Sequence, residues 1–278
     1  MAAFEGPKRG LTLGGLGLRI LSAVVMLPLA LAAVWQGRPW FDALLALAAV
    51  LMAREWARMT GGGFRGSVWI LSGFSLLAVI LLPAGVQPYS LMVVLVGGSF
   101  GLFVMARLLK ARSPFLLAFG LPAVVLPCVA FVWLRADEEQ GIATVLWVMS
   151  LVWATDTGAY FFGRTIGGPK LAPRLSPNKT WAGLLGGMLS AGLVGAGMAA
   201  AFGGKPMLLG PLAAVLAVVS QGGDLAESAL KRWSGVKDSG SLIPGHGGVL
   251  DRVDGLMPVA PLVALLILLT GKTLMAWE

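Results

Sequence analysis

The sequence predicts an all-α, polytopic integral membrane protein of about nine transmembrane helices, with its ionisable chemistry collected at the cytoplasmic face. Three observations carry that reading. The chain is 57% hydrophobic and only 12% charged, whereas a soluble domain carries about 25% charged residues. Its apolar residues fall into runs long enough to cross a hydrocarbon core of about 30 Å. Its basic residues also segregate. With the N-terminus in the cytoplasm, seventeen of the 21 Lys and Arg residues fall on the cytoplasmic side of the alternating spans and only Arg38, Arg135, Lys205 and Lys272 on the other. That is the bias expected of cytoplasmic loops.

The chain opens on a Gly-rich tail carrying Lys8 and Arg9. The apolar run after Arg19 has the look of a signal peptide, with Ala30-Leu31-Ala32 as a small-residue pattern, but eight further apolar runs follow and favour an uncleaved first span. The predicted spans are 16–35, 39–57, 67–84, 87–107, 115–135, 141–162, 180–202, 206–226 and 255–276. The sixth and eighth end in polar residues. Trp35, Trp40, Trp56, Trp133, Trp181 and Trp277 stand near span ends, where indole rings favour the interface. Residues 1–140, about five spans with almost no polar residue to bury, read as scaffold and lipid contact. Residues 141–278 read as a second transmembrane region that carries the polar chemistry, with cytoplasmic loops 156–180 and 224–254.

The net charge of +8 does not point to nucleic acid, because the basic residues are scattered between apolar runs and form no continuous face. One cysteine, Cys128, excludes an intrachain disulfide and a Cys-based zinc site. One histidine, His246, excludes multi-His metal sites, which leaves carboxylate oxygen and hard cations. Three local patterns are decoys. Gly61–Gly66 matches G-x-G-x-x-G without a βαβ unit. Gly271-Lys272-Thr273 lacks the first glycine of a Walker A loop and lies at the outer end of the last span. Asp251-x-x-Asp254-Gly255 is followed by Pro258-Val259 where a CDP-alcohol phosphotransferase needs Ala-Arg.

The stretch from Asp224 to Asp254 holds Asp224, Glu227, Asp238, Asp251 and Asp254, five of the thirteen carboxylates, with Lys231, Arg232, Lys237, Arg252 and His246. Each ionisable residue costs about 2.5–3.5 kcal/mol at a membrane helix centre, so this stretch belongs in water or around an ion. If the eighth span continues through residue 232, Asp224, Glu227, Ser228 and Lys231 share one helix face at i, i+3, i+4 and i+7. Asp251 and Asp254 repeat the i, i+3 relation. Two carboxylate pairs on neighbouring helix ends can converge on one magnesium ion, which takes one or two carboxylates plus water and substrate phosphates. Gly247 and Gly248 let backbone N–H groups approach an anion. Upstream, Asp156-Thr157-Gly158-Ala159-Tyr160 leads through Arg164, Lys170 and Arg174 into Ser176-Pro177-Asn178-Lys179-Thr180, small residues among cations that suit a phosphate-rich ligand.

At these residues the sequence resembles the phosphatidate cytidylyltransferases (CDP-diacylglycerol synthases). The family pattern Ser-x-x-Lys-Arg, four residues, Lys-Asp, then Pro-x-His-Gly-Gly-x-x-Asp-Arg-x-Asp is met by Ser228, Lys231, Arg232, Lys237, Asp238, Pro244, His246, Gly247, Gly248, Asp251, Arg252 and Asp254. The motif-bearing resemblance covers about residues 150–260, with Ala182 where relatives often have Glu and Gly255 where they often have Ser. It implies the reaction of CTP with phosphatidate to give CDP-diacylglycerol and pyrophosphate, with Mg²⁺ and the number of further cations open. By resemblance and spacing, Asp224 and Asp251 are expected metal ligands, with Asp254 and Glu227 after them. Asp224, Lys231, Asp251 and His246 form the expected catalytic group. Asp156, Ser176, Asn178, Lys179, Thr180, Ser228, Arg232, Lys237 and Arg252 are expected to bind substrate. His246 is read as a loop or phosphate contact rather than a general base, since a phosphate nucleophile is already anionic near neutral pH.

The resemblance implies CTP, phosphatidate and membrane lipids as partners, in a bacterial inner membrane with N-terminus and site cytoplasmic. It leaves a homodimer open. Two rivals fare worse. A CTP-dependent lipid-alcohol kinase would need a base for its hydroxyl substrate. A secondary transporter would carry its charges at the midplane of broken helices, often in repeated halves.

Overall fold

In the computed structural model of the protein, residues 15–62, 64, 66–81, 88–243 and 247–277 are described. Long helices stand at all nine predicted places: α1 (Gly15–Gln36), α2 (Trp40–Thr60), α3 (Gly66–Leu81), α4 (Pro88–Leu108), α5 (Pro114–Arg135), α6 (Gly141–Thr165), α7 (Trp181–Ala201), α8 (Pro206–Ser234) and α10 (Leu256–Thr270), the last preceded by the one-turn α9 (Leu250–Val253). Among the described residues five helices are long and apolar enough to cross a membrane: Ser90–Leu108, Pro114–Arg135, Gly141–Thr165, Trp181–Ala201 and Pro206–Ser234. Val24–Gln36, Gly66–Ile80 and Leu256–Thr270 are apolar but shorter.

Two segments depart from the sequence reading. The connection expected at 156–180 starts later: α6 keeps Asp156 to Tyr160 helical, as the predicted span 141–162 has them, and runs on to Thr165. Beyond it, β1 (Lys170–Ala172) and β2 (Ser176–Thr180) form an antiparallel hairpin with Lys170 opposite Thr180 and Ala172 opposite Ser176. The fold is therefore all-α with one small hairpin appended. The connection expected from 224 is likewise shortened, because α8 continues to Ser234 and is closed by Gly235 in the left-handed conformation. Its 29 residues span about 43 Å at about 1.5 Å per residue, more than the hydrocarbon thickness of about 30 Å. The helix is therefore longer than one untilted crossing needs, and its last turns carry Asp224 to Lys231.

Apolar packing forms two buried clusters. Helices α2 to α5 enclose one, built on residues such as Ala49, Leu71, Leu121 and Val125, and Leu230 of α8 and Leu250 of α9 are inserted into it. The other joins Val34 of α1 with α6, α7, α8 and α10 through Trp147, Leu151, Leu216 and Val263. Helices α6 and α7 approach closely because small residues face each other. A β-carbon on Gly158 would stand 2.9 Å from the Gly186 carbonyl oxygen, and one on Gly187 3.0 Å from that of Thr155. Small residues permit such backbone approach where lipid supplies no hydrophobic drive. The Trp147 indole donates to the Gly195 carbonyl across the same interface at 2.9 Å. This packing fixes the end of α6, the hairpin and the start of α7 against the end of α8.

Candidate active site

The C-terminal turns of α8 present the face that the charge spacing predicts. Ser228 Oγ donates to Asp224 Oδ1 at 3.4 Å, and Lys231 Nζ donates to Glu227 Oε2 at 3.0 Å. Lys231 also reaches Asp251 Oδ1 at 2.6 Å, bridging α8 to α9. From the hairpin, Lys179 Nζ pairs with Asp224 Oδ2 at 2.6 Å. The two sequence motifs therefore meet at one place.

The aspartates are held very differently. Asp251 is saturated: besides Lys231, its Oδ2 accepts from the Ser239 amide at 2.9 Å, the Ser239 hydroxyl at 2.9 Å and the Gly248 amide at 2.8 Å. Burial alone would raise its pKa, but the Lys231, Gly248 and Ser239 hydrogen bonds outweigh it and hold the carboxyl below the usual carboxylate range. Gly248 is thus an anion-binding amide, as its glycine context suggests, and the anion it meets is Asp251. Among the described residues Asp254 accepts only from the Gly255 amide, at 2.8 Å. Burial first, then the charges of Asp224 and Asp156, push it up to about 7. Asp224 is more open than Asp251 and Glu227, with its side chain 32% exposed against 6% and 5%. Glu227 Oε1 is buried with no hydrogen-bond partner among the described residues.

Asp156, Asp224, Glu227, Asp251 and Asp254 share this region with Lys179, Lys231 and Arg252, five carboxylates to three cations. An added divalent cation would balance the excess. Among the described residues no three carboxylates stand close enough to enclose a cation by themselves. The donor set suits an ion that keeps water or substrate oxygens in its shell. Asp224, Asp254 and the orphan oxygen of Glu227 are the groups with coordination capacity to spare.

The other expected substrate residues are distributed around this centre. Ser176 is half-buried and Asn178 exposed on β2. Thr180 is buried, its hydroxyl accepting from the Gly183 amide at 3.0 Å to cap α7. Arg232, Lys237 and Arg252 are exposed. His246, with Pro244 and Gly245, lies outside the described residues.

Two features escaped the sequence reading. A cleft of about 660 Å³ opens between α5, α8 and α10, walled by apolar side chains such as Trp56, Phe119, Leu126 and Met257, with Glu227 and Asp254 also lining it. The second is Glu55 of α2, only 4% exposed, in the half of the chain read as scaffold with almost no buried polar residue. Its Oε1 accepts from the Val249 amide at 2.9 Å, and its Oε2 from the Leu250 amide at 2.9 Å and the Ser239 hydroxyl at 3.0 Å.

The molecule is a polytopic membrane protein built around an acidic, lysine-bridged centre at one end of its helices. The chain belongs to the cytidylyltransferase family, whose sequence pattern matches residues 17–270. It is similar to a phosphatidate cytidylyltransferase of Brucella suis, 56% identical over 135 residues that make up 48% of this chain and 49% of that protein. The chain thus matches about half the length of the Brucella relatives. A phosphatidate cytidylyltransferase of Staphylococcus saprophyticus is 36% identical over 257 residues, 90% of this chain and 98% of that one. That of Staphylococcus epidermidis is 36% identical over 260 residues, 91% and 99% respectively.

Proposed function

We infer that this cytidylyltransferase-family chain is a nucleotidyltransferase that joins CTP to phosphatidate, giving CDP-diacylglycerol and pyrophosphate, a step of phospholipid biosynthesis. The observation that carries the reading is the contact between two environments: Glu227 and Asp254 belong both to the charged cluster and to the lining of the apolar cleft. A phosphorylated diacyl lipid has that same duality. Its acyl chains fit the cleft, and its phosphate then lies beside Lys231 and Lys179.

In the reaction, an oxygen of the phosphatidate phosphate attacks the α-phosphorus of CTP. A new P–O bond forms, the bond from the α-phosphorus to the bridging oxygen breaks, and pyrophosphate leaves with that electron pair. The nucleophile is already anionic, its second pKa being about 6, so no protein base is required. Lys231, held by Glu227 and Asp251, is a fixed positive charge for the phosphates, and Lys179 brings a second from the hairpin. The exposed Arg232, Lys237 and Arg252 attract both polyanions from the water side. Asp224, Asp254 and Glu227 would hold Mg²⁺, with Asp251 anchoring the Lys231 side of the centre. Bound there, Mg²⁺ would neutralise charge on the phosphates and the departing pyrophosphate.

The full topology belongs to the same proposal: nine spans in a bacterial inner membrane, with the N-terminus and the 235–249 connection in the cytoplasm, where CTP is found. The test is pyrophosphate release by the purified chain with CTP and Mg²⁺. Release should require phosphatidate and should not occur with diacylglycerol. If CTP instead passed its γ-phosphate to diacylglycerol, the chain would be a lipid kinase and the reading would be wrong.

A further inference from the structure

Glu55 lies deep in the N-terminal half, yet each of its hydrogen bonds reaches 184 to 195 residues along the chain into the segment that carries Asp251. A buried carboxylate is costly unless its oxygens are satisfied, and among the described residues it is this segment that satisfies both oxygens of Glu55. The Val249 and Leu250 amides that it accepts stand at the start of α9, where helix amides have no intrahelical partner. The Ser239 hydroxyl lies 3.0 Å from Glu55 Oε2 and 2.9 Å from Asp251 Oδ2. One side chain thus touches both carboxylates, and they share its single hydroxyl proton.

The surrounding glycines fit the same purpose. A β-carbon on Gly240 would stand 2.7 Å from Glu55 Oε1, and one on Gly248 would collide with the Ser239 hydroxyl and with Glu55 Oε2. Both positions leave space that the Glu55 carboxylate fills. The same end of the N-terminal half also grips α8. Arg112 donates to the Trp233 and Ser234 carbonyls at 3.1 and 3.3 Å and lies 4.6 Å from the Trp233 ring centre. Ser234 Oγ donates to the Met59 carbonyl at 3.2 Å. The first helices therefore clamp both elements that carry Lys231 and Asp251.

We propose that Glu55 is a positioning residue of the transferase: through Ser239 and the Gly248–Leu250 backbone it fixes Asp251, and so Lys231, where the CTP phosphates bind. The proposal rests on the transferase reading above. The experiment compares full-length wild type, E55Q, S239A and the double variant, purified in detergent, for kcat and KM toward CTP, with melting temperature recorded for each. In E55Q the amide nitrogen brings a donor against amide donors. KM for CTP should rise at least threefold and kcat/KM fall at least tenfold, whereas a mere loss of folded protein would leave KM unchanged. S239A should shift KM the same way by less, and the double variant should lose no more than about twofold beyond E55Q. Unchanged KM in both single variants, or losses that multiply in the double, would overturn the proposal. If E55Q does not fold, S239A, which leaves α2 intact, decides by the same KM criterion. Wild type inactive with CTP and phosphatidate would instead overturn the transferase reading.

Discussion

Replacing Lys231 with Met tests the centre's architecture without a large change in side-chain length. Lys231 is 13% exposed and bonds Glu227 and Asp251, whose side chains are 5% and 6% exposed. Its removal strands two buried carboxylates. Removing one partner of a buried ion pair costs about 3–5 kcal/mol. The lower end is the better figure here, because a stranded carboxyl can take up a proton. At about 2–4 °C per kcal/mol for a chain of this size class, melting in detergent at pH 8 should fall by about 6–12 °C. The sign with pH follows from protonation. Asp251 is held below its unfolded value in the wild type, so its contribution is complete above about pH 4 and is lost as pH falls through the folded value. Between pH 8 and pH 5 that contribution is constant in the wild type. In K231M the stranded Asp251 takes up a proton over the same interval, so the part of the melting-temperature gap that comes from Asp251 should narrow toward pH 5. A K231M melting temperature within about 2 °C of wild type at pH 8, or a gap that widens as pH falls, would refute the ion-pair description.

Three further outcomes follow from the same geometry. D224N should stay folded and lose turnover by at least a hundredfold in the phosphatidate assay, because Asp224 is partly open at 32% exposure, whereas D251N should lose both turnover and melting temperature, since its Oδ2 accepts three hydrogen bonds. Because Asp254 is pushed up to about 7, a bound cation must displace its proton. The half-saturating Mg²⁺ concentration should therefore fall as pH rises from 6 to 8, and D254N should flatten that dependence. A cysteine at the exposed Ser241 should react with an impermeant thiol reagent only in inverted vesicles, since the native Cys128 is buried; labelling of intact cells would reverse the proposed orientation.

Helix positions were legible in the sequence because each crossing needs its own apolar run. The reach of α8 was legible only in part: Asp224, Glu227, Ser228 and Lys231 repeat at helical spacing, but the apolar run stops at about 226, whereas the helix continues to Ser234 and closes at Gly235. The hairpin was not legible. Its strands are three and five residues long, too short for a period-two pattern, and Pro177 breaks the second. Asp156 to Tyr160 fall in both the predicted sixth span, 141–162, and the 156–180 connection, and the packing of small residues between α6 and α7 keeps them helical. Glu55 was hidden for a different reason. Between Arg54 and Arg58 it reads as an ordinary charged span end, and its partners are almost two hundred residues away, beyond any local spacing. One signal was available: Gly240 and Gly248 imply a neighbour that fills the space of two β-carbons. The neighbour's identity needed the tertiary structure.

The most direct measurement follows the label of CTP marked in its α-phosphate when the purified chain is incubated with phosphatidate and Mg²⁺. Wild type should move the label into a chloroform-extractable lipid, and D224N should not. Label that stays entirely in water-soluble products with folded wild-type protein would contradict cytidylyl transfer to the lipid phosphate.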